Sequence, residues 1–543
     1  MASGTEMRSK LGPQLAPQAY AILQTGQVIG GASPASSRSP TSPKSERKVT
    51  FSDELEENGP SRPSVITATS LEELRQRQPV SVDEAIAEAG VGPTQWKLLL
   101  ICGLTFCSDA AEVTFLSYVT EVLKCDWGLT SAQESLITSA VFGGMVLGAP
   151  AWGWISDHWG RRQAFLLSSM VITSFGFLTA LCQGFYSLIA MRAMVGVGVA
   201  GLPVGFDILA EAMPSSGRGK FGLYMEYFWT AGSLYVTITA WLMLEQAGWQ
   251  LFTATAALPT LVASLAGYWM LPESPRWLVD MDREDEALAI VKVWAKKNGV
   301  EMKHKQLVKS SHHSEDVSVL DLFRRSALRW KTFAHSVVWF SFGMTYYGIV
   351  MLLPRIFQRK ETSDTLDQSC SLEFDNKDLL ISAAAEILGV VLALCMIDEP
   401  GRVFTQGFFY ALTGICCFLL GFRSLGLEFL TVVASIGRLA AMGASGSTWV
   451  QCPELFPTAV RGEAHSLMNL ASKIGAFLAP FTISDMFSQW QSATIMAVVC
   501  MIGSVMACSL PETAGEELSA VSEVPETAYG SDQSDLEFST DSD

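Results

Sequence analysis

The sequence predicts an all-α polytopic membrane protein with about twelve transmembrane helices, arranged as two six-helix repeats of the same orientation. The first observation is composition, because 49% hydrophobic and only 17% charged residues among 543 are unusual for a soluble enzyme of this length. The second is the grouping of apolar residues into blocks of about 20, the helix length that crosses a hydrocarbon core of about 30 Å. The third is that short polar signatures recur at matching places in the two halves.

The apolar blocks form two groups of six, separated by a polar segment of about sixty residues. The first group lies near 97–121, 131–155, 164–182, 187–210, 219–244 and 249–271. The second group lies near 331–354, 378–397, 404–421, 427–450, 463–484 and 489–510. We therefore predict an N-terminal bundle over 81–275, a linker with short helices over 276–330, and a C-terminal bundle over 331–512.

Lys and Arg gather on one side of these spans, in the linker and in the short loops that contain Arg161, Arg162, Arg218 and Lys220. Short cytoplasmic loops collect such bases, so this side is predicted to be cytoplasmic and to hold both termini. Arg355, Arg359 and Lys360 lie in a loop on the opposite side and weaken the asymmetry without reversing it.

Two polar tails flank the bundles, over 1–80 and 513–543. The first is rich in Ser, Pro, Gly, Gln and charge; the chain after Pro511 has about ten acidic residues and carries most of the net charge of −17. Both tails are predicted to be disordered. The Ser and Thr among the acids could be phosphorylated, or the segment could simply be a solvating tail. No signal peptide is visible, so the first membrane helix is expected to direct insertion.

Three pairs of signatures repeat at an offset of roughly 240 residues. EAMPSSGRG after the fourth span matches ELFPTAVRG after the tenth, and LPES after the sixth matches LPET after the twelfth. DxxGR stands after the second span, at Asp157, Gly160 and Arg161, and again after the eighth, at Asp398, Gly401 and Arg402. A doubled six-helix unit of one orientation is the plan of a secondary transporter whose halves rock around a central site.

The segment GWISDHWGRR, with Gly153, Asp157, Gly160, Arg161 and Arg162, resembles the signature loop of the major facilitator superfamily. RAMVGVGVAG from Arg192 and PESPRWL from Pro272 are similar to the sugar-porter-like branch. SDAAE at 108–112, LTSAQESLITSAVFGGM, AEILG at 385–389 and PELFPTAVRG resemble the synaptic-vesicle-protein-related transporters and their nicotinate-transporter relatives. The resemblance covers about four fifths of the chain, without the tails, and implies the major facilitator fold and transport of a small organic solute.

The same resemblance implies a gating role for the signature loops. Asp157 beside Arg161 and Arg162 suits a latch between helix ends, and Glu211 with Arg218 and Glu454 with Arg461 are expected to make equivalent contacts in each half. The alternative is that these are topogenic bases with neutralising acids. The second loop, MIDEPGRV, departs from the family pattern at Glu399, Pro400 and Val403.

Ionisable residues inside the spans are the candidate substrate or ion site, because burying them costs at least a few kcal/mol unless they pair or face water. Asp109 and Glu112 are three residues apart on the first helix, so they are expected to share a face that points into a cavity. The other candidates are Glu226, Glu386, Arg438 and Lys473. Arg192, which is grouped with the gating residues, is a further intramembrane base. Either a carboxylate binds a cation or proton directly, or each acid neutralises an arginine and holds helices together.

Other polar residues leave alternatives open. His335 could relay protons or could be a polar cap near the interface. Trp339, Tyr346 and Tyr347 could stack on a substrate ring or anchor the helix at the interface. Cys125 and Cys370, in separate outer loops, could form a disulfide that tethers the two halves or could remain free thiols.

The sequence predicts a secondary active transporter of a small organic solute, with an organic ion or carboxylate as the best candidate and protons as the candidate coupling ion. A carboxylate could meet Arg438 while Asp109 or Glu112 takes a proton. A sugar or organic-cation facilitator and a non-transporting receptor or trafficking protein are the alternatives. No enzyme, metal site, cofactor or nucleic-acid partner is expected, and no Walker motif indicates coupling to ATP. We expect a monomer in the plasma membrane or in a vesicle membrane.

Overall fold

The computed structural model describes residues 79–302, 304, 306–308, 319–360, 372–456 and 460–514. Nearly all of both predicted tails and the predicted outer-loop residue Cys370 lie outside these residues. The N-terminal half contains α1 Val82–Ala89, α2 Pro93–Trp127, α3 Ser131–Trp159, α4 Arg161–Thr179, α5 Phe185–Val199, α6 Pro203–Glu211, α7 Ser215–Ala256 and α8 Leu258–Met270. The linker contains α9 Pro275–Asp280, α10 Glu284–Lys297 and α11 Val319–Arg324. The C-terminal half contains α12 Ser326–Ile356, α13 Asn376–Met396, α14 Arg402–Leu420, α15 Leu427–Leu455, α16 Arg461–Ile483 and α17 Gln489–Cys508.

The predicted all-α membrane fold is confirmed. Every predicted span is helical, and ten helical runs of the described chain are long and apolar enough to cross a membrane. One of these runs, Lys220–Met270, holds two predicted spans, which separate at Gly248 where φ is 78°. The predicted third span, α4, is helical but is not among the ten. The only strands in the described residues are β1 Gln358–Lys360 and β2 Leu372–Phe374, an antiparallel pair.

Local sequence sets several helix ends. Thr130 caps α3 and Ser488 caps α17 through capping boxes with Gln133 and Gln491, which satisfy free N–H groups in the first turn. The predicted fourth span is two helices, because the chain breaks after α5 and restarts at Pro203, the first residue of α6. A proline has no N–H to donate and is tolerated in a first turn, which explains this restart.

The two halves pack their helices in the same pairs. In the N-terminal half α2 packs on α7 and α3 on α5; in the C-terminal half α12 packs on α16 and α13 on α15. Glycines allow the backbones to approach at these contacts. A Cβ on Gly196 would lie 1.9 Å from the Val141 carbonyl oxygen, and one on Gly343 would lie 1.9 Å from that of Ser472. Each half is therefore held by backbone-to-backbone packing that no larger residue fits.

Cys125 is disulfide-bonded in the structure. Its predicted partner, Cys370, lies outside the described residues, so their pairing stays a prediction.

Gly196→Ala is expected to lower the stability of the protein, because its new methyl group would overlap the Val141 carbonyl and force α3 and α5 apart. Overpacking of this kind costs about 2 kcal/mol. The measurement is thermal unfolding of the purified full chain in detergent, followed by tryptophan fluorescence. Gly462→Ala is the control, since a Cβ there meets nothing within 4 Å. Equal melting temperatures for the two variants would contradict the close approach.

Candidate functional site

A cavity lies at the centre of the molecule, between the two six-helix halves. The N-terminal half contributes Phe106, Asp109, Leu202, Pro203, Glu226 and Trp229; the C-terminal half contributes Phe342, Tyr347, Ser445, Trp449, Asn469, Ser472 and Lys473. The volume that the centres of water molecules can occupy in it is about 30 Å³, which is enough for about two waters. The cavity is therefore contracted, with charged groups and aromatic rings in close range.

Three of the six predicted substrate or ion residues line this cavity: Asp109, Glu226 and Lys473. The Asp109 Oδ1 atom is buried and accepts no hydrogen bond from the described residues. Lys473 Nζ donates to the Tyr347 hydroxyl at 3.4 Å and lies 5.6 Å from the centre of that ring. Asp109 and Lys473 interact electrostatically although they belong to different halves. The cavity thus holds an unsatisfied carboxylate oxygen of one half and an ammonium group of the other half that is close enough to interact with Asp109.

Glu112 does not share this cavity, which corrects the expectation that both acids of the first helix point into it. Its carboxylate forms an ion pair with Arg192, which is 1% exposed and also donates to the Thr179 hydroxyl at 2.6 Å. Positions i and i+3 of a helix differ by about 60° in direction, which lets Asp109 and Glu112 meet different neighbours. A buried guanidinium needs a carboxylate close by, and Glu112 supplies it within the N-terminal half.

Glu386 and Arg438 form a corresponding buried pair in the C-terminal half. Arg438 Nη2 and Nε lie 2.7 Å and 2.9 Å from Glu386 Oε1, and both side chains are buried. The Tyr346 hydroxyl donates to the same oxygen at 2.9 Å and accepts from Trp229 Nε1 at 2.5 Å. Because Trp229 lines the cavity, this chain of hydrogen bonds connects the cavity wall of one half to the buried ion pair of the other.

The aromatic residues of α12, the seventh predicted span, lie in the interior of the protein. The interpretation of Trp339, Tyr346 and Tyr347 as interface anchors is therefore wrong. Each is at most 3% exposed. Of the three, Tyr347 lines the cavity. His335 is also fully buried, so it is not a polar cap at the interface; it accepts from Trp339 Nε1 at 2.9 Å.

A layer of aromatic side chains separates the cavity from the linker side of the molecule. Trp449 of α15 is its centre and packs on Phe206 of the other half, with ring centres 5.5 Å apart. On its own half Trp449 packs on Trp339 and His465, at 4.9 Å and 5.2 Å. We call this set, completed by Phe106 at 6.2 Å, the aromatic layer.

A cluster of charges joins the two halves on the opposite side. Arg355 at the end of α12 pairs with Glu121 and, at 2.7 Å, with Glu134 of the N-terminal half. Lys124 of the N-terminal half pairs with Glu134 at 2.8 Å and with Asp485 of the C-terminal half. These five residues form the ionic cluster. The distribution of Lys and Arg in the sequence predicts Arg355 only as an exception to the charge asymmetry and does not reveal this role.

The signature loops make matching contacts in the two halves. Arg161 pairs with Asp157 at 2.5 Å and with Glu211 at 3.4 Å. Arg402 pairs with Asp398 and Glu454, both at 3.0 Å. Glu211 and Glu454 thus bind the arginine of the loop in their own half. The side chain of Arg218 lies outside the described residues, and Arg461 begins α16, so the predicted contacts of Glu211 with Arg218 and of Glu454 with Arg461 stay predictions.

The glutamates of LPES and LPET have a structural role that explains why these tetrapeptides repeat and that the sequence pattern alone does not indicate. Glu273 accepts hydrogen bonds from the N–H groups of Arg162 and Ser274, at 3.0 Å and 2.9 Å. Glu512 accepts in the same way from the N–H groups of Arg402 and Val403, at 2.8 Å and 3.0 Å. Glu273, which follows α8, therefore caps the start of α4, and Glu512, which follows α17, caps the start of α14. The helix dipole favours negative charge at both places.

Gly160 and Gly401 of the loops are required by these caps. Their φ angles are 106° and 95°, in the region that favours glycine. A Cβ on either would lie within 2.5 Å of the capping carboxylate. Gly153 has a different character, since a Cβ there meets nothing within 4 Å in this conformation.

Arg162 explains the departure of the second loop from the first. It donates to the carbonyl oxygens of Leu271 and Tyr268, both at 2.8 Å, and so connects the start of α4 to the end of α8. Val403 occupies the matching place in the second half and has no side-chain donor. The N-terminal half therefore has a contact that the C-terminal half replaces by the cap alone.

Two six-helix halves around a shared charged cavity, with paired signature loops, are the architecture of a membrane transport protein. The chain matches the family described as "Sugar (and other) transporter" over residues 89–524, and it belongs to this family of the major facilitator superfamily.

Relatives of this chain span most of its length. It is 31% identical over 452 residues to the "Synaptic vesicle 2-related protein" of Bos taurus, covering 80% of this chain and 82% of that protein. It is 29% identical to "Organic cation/carnitine transporter 7" of Arabidopsis thaliana, covering 81% and 95%. It is 26% identical to "Niacin transporter NiaP" of Acinetobacter baylyi, covering 73% and 88%. The predicted resemblance to vesicle-protein-related and nicotinate transporters is confirmed.

A solved structure shares the fold. The proton:xylose symporter XylE bound to a bromodeoxyglucose superposes with a TM-score of 0.60 at 20% identity, covering 79% of this chain and 99% of that one. The chain is thus an integral membrane protein with the major facilitator fold.

Glu512→Gln is expected to lower stability at neutral pH and to lose this effect in acid. Burial disfavours the charged form of Glu512, but the N–H groups of Arg402, Val403, Ala514 and Thr513 outweigh it and lower its pKa. A carboxyl whose pKa is lower in the folded state stabilises the protein above the unfolded pKa, about 4.3 for Glu, and stops doing so as pH falls through the folded value. The measurement is the melting temperature of both proteins from pH 7 to pH 3.

Glu245→Gln, which removes an exposed carboxylate of α7, is the control for the change of charge. A pH-independent difference between wild type and Glu512→Gln would show that the cap does not act through its charge.

Proposed function

We propose that this protein is a secondary active transporter that moves a small organic ion, with a carboxylate as the best candidate, and that protons are the coupling ion. The observation that carries the proposal is the placement of Asp109 and Lys473 in one central cavity, on opposite halves, with Asp109 Oδ1 buried and unsatisfied. A buried carboxylate oxygen without a partner is costly to keep, so it favours binding a proton or a cationic group.

Lys473 is the group that would receive a substrate carboxylate. The predicted candidate for that role, Arg438, is already neutralised by Glu386 and lies behind the cavity wall. The ammonium group of Lys473 contacts the hydroxyl and the ring face of Tyr347. It can exchange these weak contacts for a bond to a carboxylate. The rings of Trp229, Phe342 and Trp449 line the same space and suit a flat or apolar substrate body.

Both ends of the path are crossed by contacts between the halves, which suits alternating access. The aromatic layer crosses on the linker side and the ionic cluster on the other. Because the cavity admits only about two waters, the halves must move apart on one side before an organic solute can enter. We place the linker side in the cytoplasm, as the distribution of Lys and Arg favours, with the protein in the plasma membrane or a vesicle membrane.

The names of the relatives support a charged solute, since two of them are given as transporters of niacin and of organic cations or carnitine. An organic cation is the second candidate, because Asp109 and Glu226 outnumber Lys473 in the cavity. Glu226 lies on the N-terminal half with Asp109, so a cation would be held mainly by that half.

Asp109→Asn is expected to abolish gradient-driven uptake, because an amide cannot take up and release the coupling proton. Lys473→Gln is expected to raise the KM for a carboxylate by about tenfold or more, because a charge-assisted hydrogen bond is lost. The measurement is uptake of labelled nicotinate, an organic cation and a hexose into proteoliposomes, with and without a proton gradient.

Asp126→Asn and Lys377→Gln, which change exposed residues outside the cavity, are the matched controls. Gradient-independent uptake that Asp109→Asn leaves unchanged would contradict proton coupling at this residue. Cation uptake that survives Lys473→Gln while Asp109→Asn stops it would favour the second candidate.

Arg355→Gln is expected to shift the protein toward the form open on the side opposite the linker, because Glu121 and Glu134 lose the cation that joins them to the C-terminal half. Glu121 loses its cation and Glu134 keeps Lys124 alone, and removing one partner of a buried ion pair typically costs several kcal/mol in the closed form. The measurement is the distance between spin labels placed at exposed positions of the two halves on that side. An unchanged distance distribution would contradict the assignment of the ionic cluster as a closure.

A further inference from the structure

A second cavity lies on the linker side, at the outer surface of the N-terminal half, and plays no part in the transport path described above. It is enclosed by the start of α2, the chain after α8 and one face of α10. The volume that the centres of water molecules can occupy is about 280 Å³ in this cavity and about 30 Å³ in the central cavity. Its apolar walls are formed by Leu98, Met270, Pro272, Ile290, Val293 and Trp294.

Two lysines give this apolar cavity a charged rim. Lys97 of α2 and Lys297 at the end of α10 both line it and both are exposed. No carboxylate is among the described residues that line it. The combination of an apolar interior with two ammonium groups matches an amphiphile that has a negatively charged head.

The surroundings place this cavity at the level of the lipid headgroups. Trp96 and Leu100 on α2 and Tyr268 and Trp269 on α8 are each more than half exposed. Exposed Trp and Tyr near the end of a span mark the boundary between hydrocarbon and water. The start of α2 and the end of α8 both line this cavity, so it lies at the linker-side ends of two candidate membrane spans.

The cavity is a fixed feature of the fold, because Asn298 holds α10 in place over α2. Its side-chain amide donates to the carbonyl oxygens of Ala89 and Gly90, both at 3.1 Å, and to Gln95 Oε1 at 2.9 Å. Its Oδ1 accepts from the Thr94 N–H at 3.4 Å. The approach is so close that a Cβ on Gly92 would lie 2.5 Å from Asn298 Oδ1. A built cavity of this kind suits a specific occupant better than a shifting surface cleft does.

We propose that this cavity binds an anionic phospholipid of the linker-side leaflet, with an acyl chain against the apolar wall and the phosphate between Lys97 and Lys297. The lipid would join the linker helix α10 to the ends of the first and sixth membrane helices. A soluble anion would leave the apolar wall unused, and a neutral lipid would leave the lysines without a partner.

The test uses the full chain purified in a neutral detergent and titrated with phosphatidylglycerol or phosphatidylcholine, with bound lipid counted by native mass spectrometry. Each lysine near the membrane surface strengthens the binding of an anionic lipid. Removing two of them is expected to weaken phosphatidylglycerol binding by about 30-fold. Lys97→Gln with Lys297→Gln should therefore lose the preference for phosphatidylglycerol. Lys292→Gln with Lys296→Gln, which changes two exposed lysines of α10 that do not line the cavity, should keep it.

Ala289→Phe tests the apolar half of the site, because its ring would fill the cavity and leave both lysines in place. It should weaken binding of the lipid, and glycerol phosphate, a soluble headgroup, should not compete. Equal retention of the two lipids, equal losses in the two double variants, or competition by glycerol phosphate at the lipid's own concentration would each overturn the proposal.

Discussion

The compensation of charge inside an apolar bundle is the constraint on which the rest of this structure depends. Each half buries one arginine in its fourth membrane span and neutralises it with a carboxylate of the same half. Arg192 of α5 pairs with Glu112, and Arg438 of α15 pairs with Glu386. A guanidinium left alone among apolar helices would be too costly to bury, so these pairs fix which helices must be neighbours. Once they are formed, the charges that remain near the centre are those at the boundary between the halves.

Charges of this protein therefore fall into two groups with different consequences. Pairs within one half, including the signature-loop contacts of Arg161 and Arg402, keep their partners when the halves move as rigid bodies. Pairs between the halves, such as Arg355 with Glu134, and the facing groups Asp109 and Lys473, change their surroundings in any such movement. Under the proposed mechanism, the first group builds the moving parts and the second group responds to the movement. The carboxylates Glu273 and Glu512 belong to the first group, which explains why LPES and LPET recur in the sequence.

The sequence predicted the spans, the repeat and the family well because each depends on local or repeated patterns. It could not predict which way a polar side chain on a span points. Asp109 and Glu112 stand one turn apart, yet one lines the cavity and the other binds Arg192. Tyr346 and Tyr347 are adjacent, yet one binds Glu386 and the other lines the cavity. The ionic cluster was missed because Arg355 and Asp485 of one half meet Glu121, Lys124 and Glu134 of the other only when the two halves pack together.

Under the proposed mechanism the central cavity has two closures, which differ in chemistry, and this difference bears on how the transport cycle would be driven. Opening the aromatic layer exposes the rings of Phe206 and Trp449 to water, at a cost of about 25 cal/mol per Å² of apolar surface. Opening the ionic cluster separates Arg355 from its carboxylates but lets water hydrate every separated charge, so the net cost is smaller than the attraction between them. Salt weakens the second closure and leaves the first almost untouched. The balance between the two proposed open forms would therefore follow the ionic conditions on the side opposite the linker, and the substrate would act on both from the cavity that lies between them.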